Sequence, residues 1–210
     1  MEGHALKIVF LCTGNACRSP MAEALFRARL EEGYPHLAGE VEVLSAGIAA
    51  MEGSPASSHA VRAMDLWGLD LERHRARPFT LYLAREADLV VAMAREHLLA
   101  LERIFPPALA RATTLRSVSA FRDAILGRLG RDTATTAQDV ARRLEGMMEV
   151  LSTVGEEAGF SAEMGHGSSD IMDPIGGSFS TYLEVAEQID NSVVDLALCL
   201  FGDPLRREPL

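Results

Sequence analysis

The sequence lacks any long apolar segment. Its first apolar run, Leu6 to Leu11, is interrupted by Lys7 and is much shorter than the roughly 20 residues of a membrane-spanning helix or than the core of a secretory signal. Internal repeats and low-complexity tracts are absent as well. We therefore expect a globular chain without a membrane partner, and its 210 residues fit one domain.

Cysteine is scarce, with three residues at positions 12, 17 and 199. An odd count with two cysteines close together is unlike the even, spread framework of a secreted disulfide protein. This scarcity favours a reducing, cytoplasmic location, in which free thiols are available for chemistry.

Positive charge is in deficit, with 20 Lys and Arg against 30 Asp and Glu and a formal net charge of −10. Such a chain repels nucleic acid and anionic membrane surfaces, so we expect neither as a partner. The histidines at positions 4, 36, 59, 97 and 166 show no metal-ligand spacing, and we expect no metal and no other cofactor. An anionic substrate would need a local feature that attracts it against the overall field.

Short β-rich runs alternate with helical patterns along the chain. Strands are predicted at 6–11, 41–44, 89–93 and 112–115. Helices are predicted to begin near Pro20, to cover 56–66, to follow the third strand as far as residue 105, and to cover 179–200. The alternation predicts a three-layer α/β fold with a four-stranded parallel sheet flanked by helices. Trp67 is expected in the core, with Gly68 ending its helix. Ligands bind at the carboxyl edge of such sheets.

One region interrupts the alternation. From about residue 120 to 169 no strand is evident, and two helices are predicted, one at 121–129 and one with an apolar stripe of Val140, Leu144, Met147 and Leu151. Residues 165–169 are predicted to form a flexible return. We interpret 1–210 as a single domain that contains this helical insertion, which can pack on the surface, act as a lid or form an oligomer contact.

The residues with the most chemical character lie in FLCTGNACRSPMAEAL, residues 10–25, where a strand passes into a helix. A turn from Cys12 to Arg18 can point several N–H groups inward, with Gly14 supplying an unusual backbone angle. The helix end near Pro20 is positive, and the Arg18 fork can hold two oxygens of a tetrahedral oxyanion. The same field pushes the Cys12 thiol toward thiolate, a nucleophile beneath a bound phosphoryl group.

Other residues of the turn complete this predicted phosphate-binding loop. Ser19 and Thr13 can donate hydrogen bonds to the sulfur or steady the loop, and Asn15 can bridge backbone groups. Cys17 can form a protective disulfide with Cys12 on oxidation or simply pack under the loop. The candidate phosphate-binding residues are therefore Thr13, Gly14, Asn15, Ala16, Cys17 and Ser19.

The string CTGNACRSPMAEAL resembles the signature of the low-molecular-weight protein tyrosine phosphatase family. The resemblance continues in LSAGI, HRARPFT, ADLVVAM and DIMDPIGGS and covers all of the chain except the insertion and the tail from Gly202. The resemblance implies the fold of that family and a phosphoprotein phosphatase that forms a cysteinyl-phosphate intermediate on Cys12. The partners of such an enzyme are phosphorylated proteins or peptides and inorganic phosphate. The resemblance also implies that Ser45 and His74 support the loop.

Displacement by a thiolate needs a proton for the leaving atom, and the loop at Asp173-Pro174 can return a carboxyl group to the site. By resemblance Asp173 is the general acid and then the base that activates water. Asp170 is its nearest competitor.

The substrate class depends on fewer residues. Thr13 after the nucleophile and the stretch GSPASSHAVRAM resemble the protein arginine phosphatase branch, because tyrosine-directed members usually carry a bulky aliphatic residue at that position; Ile175 departs from both patterns. Phosphoarginine is favoured, with a protein-tyrosine phosphatase as the alternative. A thioredoxin-coupled arsenate reductase is more remote, since residues 80–95 contain no cysteine and Cys199 lies in the last helix. A non-catalytic phosphopeptide-binding module is disfavoured by the retained Cys12, Arg18 and Asp173.

Overall fold

A single parallel sheet organises the chain, whose computed structural model describes residues 5–157 and 170–204. Its strand order is β2–β1–β3–β4, and Phe10 at the centre pairs with Ser45 on one side and Val91 on the other. The predicted four-stranded parallel α/β fold is therefore confirmed. The strands are β1 (Leu6–Cys12), β2 (Val41–Gly47), β3 (Leu89–Ala92) and β4 (Ala112–Thr114).

Helices cover both faces of this sheet. They are α1 (Arg18–Gly33), α2 (Ser58–Asp65), α3 (Leu81–Glu86), α4 (Arg95–Ile104), α5 (Leu115–Ala120), α6 (Arg122–Leu129), α7 (Ala137–Glu157) and α8 (Phe179–Phe201). Short 3-10 turns lie at Pro35–Leu37 and Pro106–Arg111. No helix within 5–157 and 170–204 is both long and apolar enough to cross a membrane.

Strand β1 divides the core into two layers because its side chains alternate between the faces. Ile8 and Phe10 join the larger cluster beneath α1 and α8, whereas Val9 and Leu11 join the smaller cluster beneath α3 and α4. Phe10 meets Phe26 of α1 edge-on, with ring centroids 5.5 Å apart. Burial of each such side chain contributes roughly 1.5–3 kcal/mol, so the core fixes the strand that ends at Cys12.

Helix α7 packs against the main core. Val140, Leu144 and Met147, three members of the predicted stripe, are buried in the larger cluster, and Leu151 is partly buried against it. Beside them Arg143 is 8% exposed, and its guanidinium donates to backbone carbonyls at the ends of α6 and α8. The predicted return at 165–169 lies outside the described residues.

Several element boundaries differ from the predictions. Helix α2 begins at Ser58 rather than 56, because the Ser57 hydroxyl accepts a hydrogen bond from the Ala60 amide at 3.3 Å and caps the helix. Strand β2 continues to Gly47, and α3 and α5 were not predicted. Trp67 is only partly buried, and its indole N–H donates to Asp190 Oδ2 at 3.3 Å.

Candidate active site

The loop between β1 and α1 is held from the β2 side by backbone hydrogen bonds. Ile48 N donates to Cys12 O at 3.0 Å, and Ala49 N donates to Thr13 O at 2.9 Å. A Cβ at Gly47 would lie 2.6 Å from Thr13 O, so only glycine permits this close approach. The loop therefore sits on a rigid strand edge, as the sequence predicted for residues 12–18.

Asn15, not Gly14, provides the unusual backbone angle of the loop. Its φ is 51°, whereas Gly14 is absent from the residues with positive φ. The prediction for Gly14 was therefore wrong, and three side-chain hydrogen bonds stabilise Asn15 in this conformation. The amide nitrogen donates to Ser19 Oγ and Ser45 Oγ, both at 2.9 Å, and the amide oxygen accepts from Arg77 N at 2.8 Å.

The two residues predicted to support the loop contact different parts of it. His74 Nε2 donates to the Asn15 carbonyl at 2.8 Å and has no hydrogen bond to Ser45. Ser45 Oγ accepts from Asn15 and donates to Glu23 Oε2 at 2.6 Å. Glu23 was missed by sequence reasoning, although its place in the first turns of α1 was a usable signal.

Cys12 lies at the floor of the loop and is 3% exposed. Its Sγ accepts a hydrogen bond from Asn15 N at 3.2 Å and lies 3.0 Å from Ser19 Oγ. Within the described residues, no hydrogen bond occupies the N–H groups of Gly14, Ala16 or Cys17, and no side chain caps α1. Unoccupied N–H groups in the loop that carries the sulfur can bind the oxygens of an anion.

Arg18 joins this loop to the later Asp-Pro segment. Its side chain is 4% exposed, Nη1 donates to Ile171 O at 3.1 Å, and Nη2 lies 2.5 Å from Asp173 Oδ2. Ile171 N in turn donates to Met93 O, just past β3, at 2.7 Å. These bonds bring Asp173 to the loop across 155 positions of sequence.

Asp170 serves a different part of the structure. Its Oδ1 accepts from Arg95 N, the first residue of α4, at 2.8 Å. A carboxylate at that place satisfies an otherwise free helical N–H and favours the helix dipole. Asp173, not Asp170, is therefore the carboxylate bonded to Arg18.

His97 is a further residue at the site, and sequence reasoning missed it. It is 0% exposed; its Nδ1 accepts from Ala94 N at 3.0 Å, and its Nε2 lies 3.1 Å from Thr13 Oγ1. Burial, helped by the nearby Arg18 guanidinium, lowers the pKa of His97 from its ordinary 6.5 to about 4. The imidazole is therefore neutral near pH 7, with its proton on Nε2.

Cys17 faces the α2 and α8 side of the loop. Its thiol donates to Ser57 Oγ at 3.3 Å and lies 3.4 Å from the Tyr182 hydroxyl. Burial raises the pKa of Tyr182, and its hydrogen bond with Cys17 adds to the shift. The cysteines at 12, 17 and 199 are free thiols here, and a disulfide between Cys12 and Cys17 stays a prediction for oxidising conditions.

The described residues offer no group of three or more His, Cys, Asp or Glu side chains placed to hold a metal ion. The donors around Cys12 are instead N–H and O–H groups with one guanidinium, a set that suits an oxyanion.

A buried thiol and a buried guanidinium beneath an uncapped helix end, at the carboxyl edge of a parallel sheet, define an α/β protein with a thiol-bearing anion loop. Residues 7–124 match the family model described as low molecular weight phosphotyrosine protein phosphatase. That stretch is more than half of the 210 residues, and the chain belongs to this family.

Relatives of two specificities are similar to the chain. A low molecular weight protein-tyrosine-phosphatase of Streptomyces coelicolor is 47% identical over 104 residues, which are 48% of this chain and 60% of that protein. The protein-arginine-phosphatase of Bacillus subtilis is 45% identical over 93 residues, 44% of this chain and 58% of that protein. The matched part spans 54% to 62% of the length of the curated relatives compared.

Solved structures extend the likeness. A mutant of YwlE from Bacillus subtilis aligns with a TM-score of 0.63 at 28% identity over 92% of this chain and 97% of that one. A YwlE arginine phosphatase mutant with a phosphorylated active-site serine aligns with a TM-score of 0.63 at 28% identity over 91% and 93% of the two chains. Such coverage necessarily passes residue 124, into the part of the chain that carries α7 and α8.

Proposed function

We propose that this protein is a cysteine-dependent phosphoprotein phosphatase. The observation that carries the proposal is the convergence of a nucleophile, an anion-binding fork and an acid: Cys12 and Arg18 share one loop, and Asp173 lies 2.5 Å from Arg18. Membership of the phosphatase family supports this assignment. Cys12 is the nucleophile, Arg18 binds the phosphoryl oxygens, and Asp173 is the general acid in the first step and the general base in the second.

The reaction proceeds in two displacements. The Cys12 thiolate attacks phosphorus, an S–P bond forms, the P–O or P–N bond to the leaving group breaks, and Asp173 gives its proton to the leaving atom. The Asp173 carboxylate then takes a proton from water while that water attacks phosphorus, the S–P bond breaks and phosphate leaves. A related YwlE mutant phosphorylated on its active-site serine supports a covalent intermediate at this position.

Before the first step, the phosphoryl group must compete for Arg18. In the free protein the guanidinium is shared between Ile171 O and Asp173. An incoming dianion with unoccupied backbone donors around it can replace Asp173 on Nη2, which frees the carboxyl group to face the leaving atom. The exposed position of Asp173, 40% of its side chain, allows that movement.

Among substrates we favour phosphoarginine over phosphotyrosine. The small Thr13 beside Cys12 leaves more room than a bulky aliphatic residue, and the Bacillus subtilis protein-arginine-phosphatase is among the relatives. Protein-tyrosine phosphatases of similar identity make phosphotyrosine the second candidate. The proposal also includes a reducing, cytoplasmic location, in keeping with three free thiols.

Arsenate reduction coupled to thioredoxin receives little support. That chemistry needs a further accessible thiol, and Cys199 is 0% exposed in α8. Burial raises the pKa of Cys199 to about 12, so this thiol is protonated as well as enclosed.

The test compares kcat/KM on matched phosphoarginine and phosphotyrosine peptides for the wild type, Cys12→Ser and Thr13→Ile. We expect hydrolysis that Cys12→Ser abolishes, a preference for phosphoarginine, and a loss of that preference in Thr13→Ile. Inactivity of the wild type on every phosphoester would leave a non-catalytic phosphate-binding module. A clear preference for phosphotyrosine would overturn the arginine assignment alone.

A further inference from the structure

A buried histidine without an assigned role stands beside the anion loop. His97 is the third residue of α4 and is far from the loop in sequence, yet its Nε2 lies 3.1 Å from Thr13 Oγ1 across 84 positions. We propose that His97 is a positioning residue that orients the Thr13 hydroxyl as a hydrogen-bond donor to the phosphoryl group. This inference rests on the proposed function.

The protonation of the ring follows from its two contacts. Nδ1 accepts from the Ala94 backbone N–H at 3.0 Å, so Nδ1 carries no proton. The single proton of the neutral ring is then on Nε2, and Nε2 donates to Thr13 Oγ1. The backbone at the start of α4 thus selects the tautomer that Thr13 requires.

The Thr13 hydroxyl has two acceptor positions and one proton. His97 Nε2 uses one position at 3.1 Å, and Arg18 Nη2 approaches the other at 3.5 Å. No acceptor for the Thr13 proton is found within residues 5–157 and 170–204. The proton of the Thr13 hydroxyl is therefore available for donation to a ligand. It lies beside Arg18 Nη2, the nitrogen to which an incoming phosphoryl oxygen must bind.

This arrangement gives Thr13 the same task for both candidate substrates. Because both acceptor positions are occupied, a substrate guanidinium N–H finds no free lone pair on the hydroxyl. A phosphoryl oxygen can accept the remaining proton, and phosphoarginine and phosphotyrosine both carry one. Loss of the hydroxyl should therefore weaken both substrates equally, whereas added bulk at position 13 changes the preference between them.

Glu96 is a competitor for the His97 proton. Its Oε1 lies 3.4 Å from His97 Nε2, and its side chain is 66% exposed. Thr13 Oγ1 lies closer to Nε2, at 3.1 Å, and belongs to the anion loop. Neutralising Glu96 therefore makes a suitable control, since this residue contacts neither Cys12 nor Arg18 in the hydrogen bonds of the described chain.

Two substitutions of His97 separate its contacts. In His97→Asn the amide oxygen takes the place of Nδ1 and keeps the bond from Ala94 N, but the donor to Thr13 is lost. In His97→Gln the amide nitrogen takes the place of Nε2 and keeps that donor, but the bond at Ala94 is lost. Thr13→Val removes the hydroxyl at nearly constant volume, and Glu96→Gln is the control.

The experiment measures the Kd of inorganic phosphate by calorimetry, kcat/KM on both peptides, and Tm. We expect His97→Asn and Thr13→Val each to weaken phosphate binding and lower kcat/KM by about fivefold to tenfold on both peptides. His97→Gln should restore most of the loss seen in His97→Asn, and Glu96→Gln should behave as wild type. In the Thr13→Val background, His97→Asn should add no further loss.

Additive losses in the double variant, or equal losses in His97→Asn and His97→Gln that follow Tm, would overturn the positioning role. So would a loss confined to phosphoarginine in Thr13→Val. If the wild type hydrolyses neither peptide while phosphate affinity follows the expected order, the proposed function fails and the positioning role stands. If hydrolysis is normal and the variants do not differ, only the positioning role fails.

Discussion

Removal of the charge on Asp173 should make this protein bind phosphate more tightly while it turns over more slowly. In the free state Arg18 Nη2 lies 2.5 Å from Asp173 Oδ2, so an incoming anion must displace a carboxylate from its own binding fork. Asp173→Asn removes that competitor and also removes the repulsion between the carboxylate and the anion. The same substitution removes the proton that the leaving group needs.

The magnitude follows from the exposure of the two partners. Arg18 is 4% exposed and Asp173 40% exposed, so the ion pair is half solvated and its strength lies near the upper end for surface pairs, about 1 kcal/mol. That free energy corresponds to about a fivefold decrease in the Kd of inorganic phosphate. Loss of the general acid should lower kcat about 100-fold or more.

Calorimetry with inorganic phosphate and turnover of phenyl phosphate, whose leaving oxygen needs a proton, measure the two effects. The matched control is Asp170→Asn, which retains an oxygen for Arg95 N and lies three positions away. We expect near wild-type affinity and turnover from this control. An unchanged or weaker phosphate affinity in Asp173→Asn would refute the competition for Arg18, and similar losses of turnover in both variants would refute the choice of Asp173 as the acid.

Three further predictions concern the scaffold around the site. Arg143→Met should lower the free energy of unfolding, measured in urea titrations, by about 3 kcal/mol, because five carbonyls at and just beyond the ends of α6 and α8 lose their guanidinium donor. The control Arg142→Met changes an exposed arginine and should alter the free energy of unfolding by less than about 1 kcal/mol. Asn15→Gly allows the φ of 51° but removes the side-chain amide, so its affinity for phosphate should fall. In Asn15→Ala the backbone angle is strained as well, and the affinity should fall further. Equal affinities in the two variants would show that the backbone angle is unimportant. Because burial lowers the pKa of His97 to about 4, the imidazole takes up a proton at a higher pH in the unfolded chain than in the folded one. The free energy of unfolding should therefore fall by up to roughly 3 kcal/mol as the pH drops from 6.5 to 4. Urea midpoints measured against pH check this, and His97→Asn should show a smaller decrease than the wild type.

The strands and the loop that carries Cys12 and Arg18 follow from local sequence patterns, and the sequence was enough to predict them. Strand β1 and the start of α1 are neighbours along the chain, so the apolar run at 6–11 and the short turn after Cys12 place the thiol and Arg18 together. The fork and the sulfur need no long-range contact to share one loop. The same reasoning failed at Gly14, because a glycine permits a left-handed angle but does not require it, whereas Asn15, whose side chain makes three hydrogen bonds, adopts it.

Contacts that cross the chain were harder to predict. The bonds of His97 to Thr13 and of Glu23 to Ser45 depend on side-chain directions that periodicity does not determine. One signal was available for His97: it follows β3 by five residues, which places it at the start of a helix on the same sheet edge as Cys12. A histidine at such an edge is a candidate for the site even without metal-ligand spacing.

Arg18 connects the part of the chain that sequence similarity covers with the part it does not. The family model ends at residue 124, and the backbone two residues before Asp173 is fixed at Ile171, whose N–H is bonded to Met93 O and whose carbonyl is bonded to Arg18. The guanidinium therefore does two things: Nη2 prepares the anion site, and Nη1 holds the backbone that carries the acid. A lysine at this position would keep the charge but not the fork, and could not make both contacts at once. The length of the segment between residue 124 and Asp173 should accordingly matter less to the site than the return of its end to this one side chain.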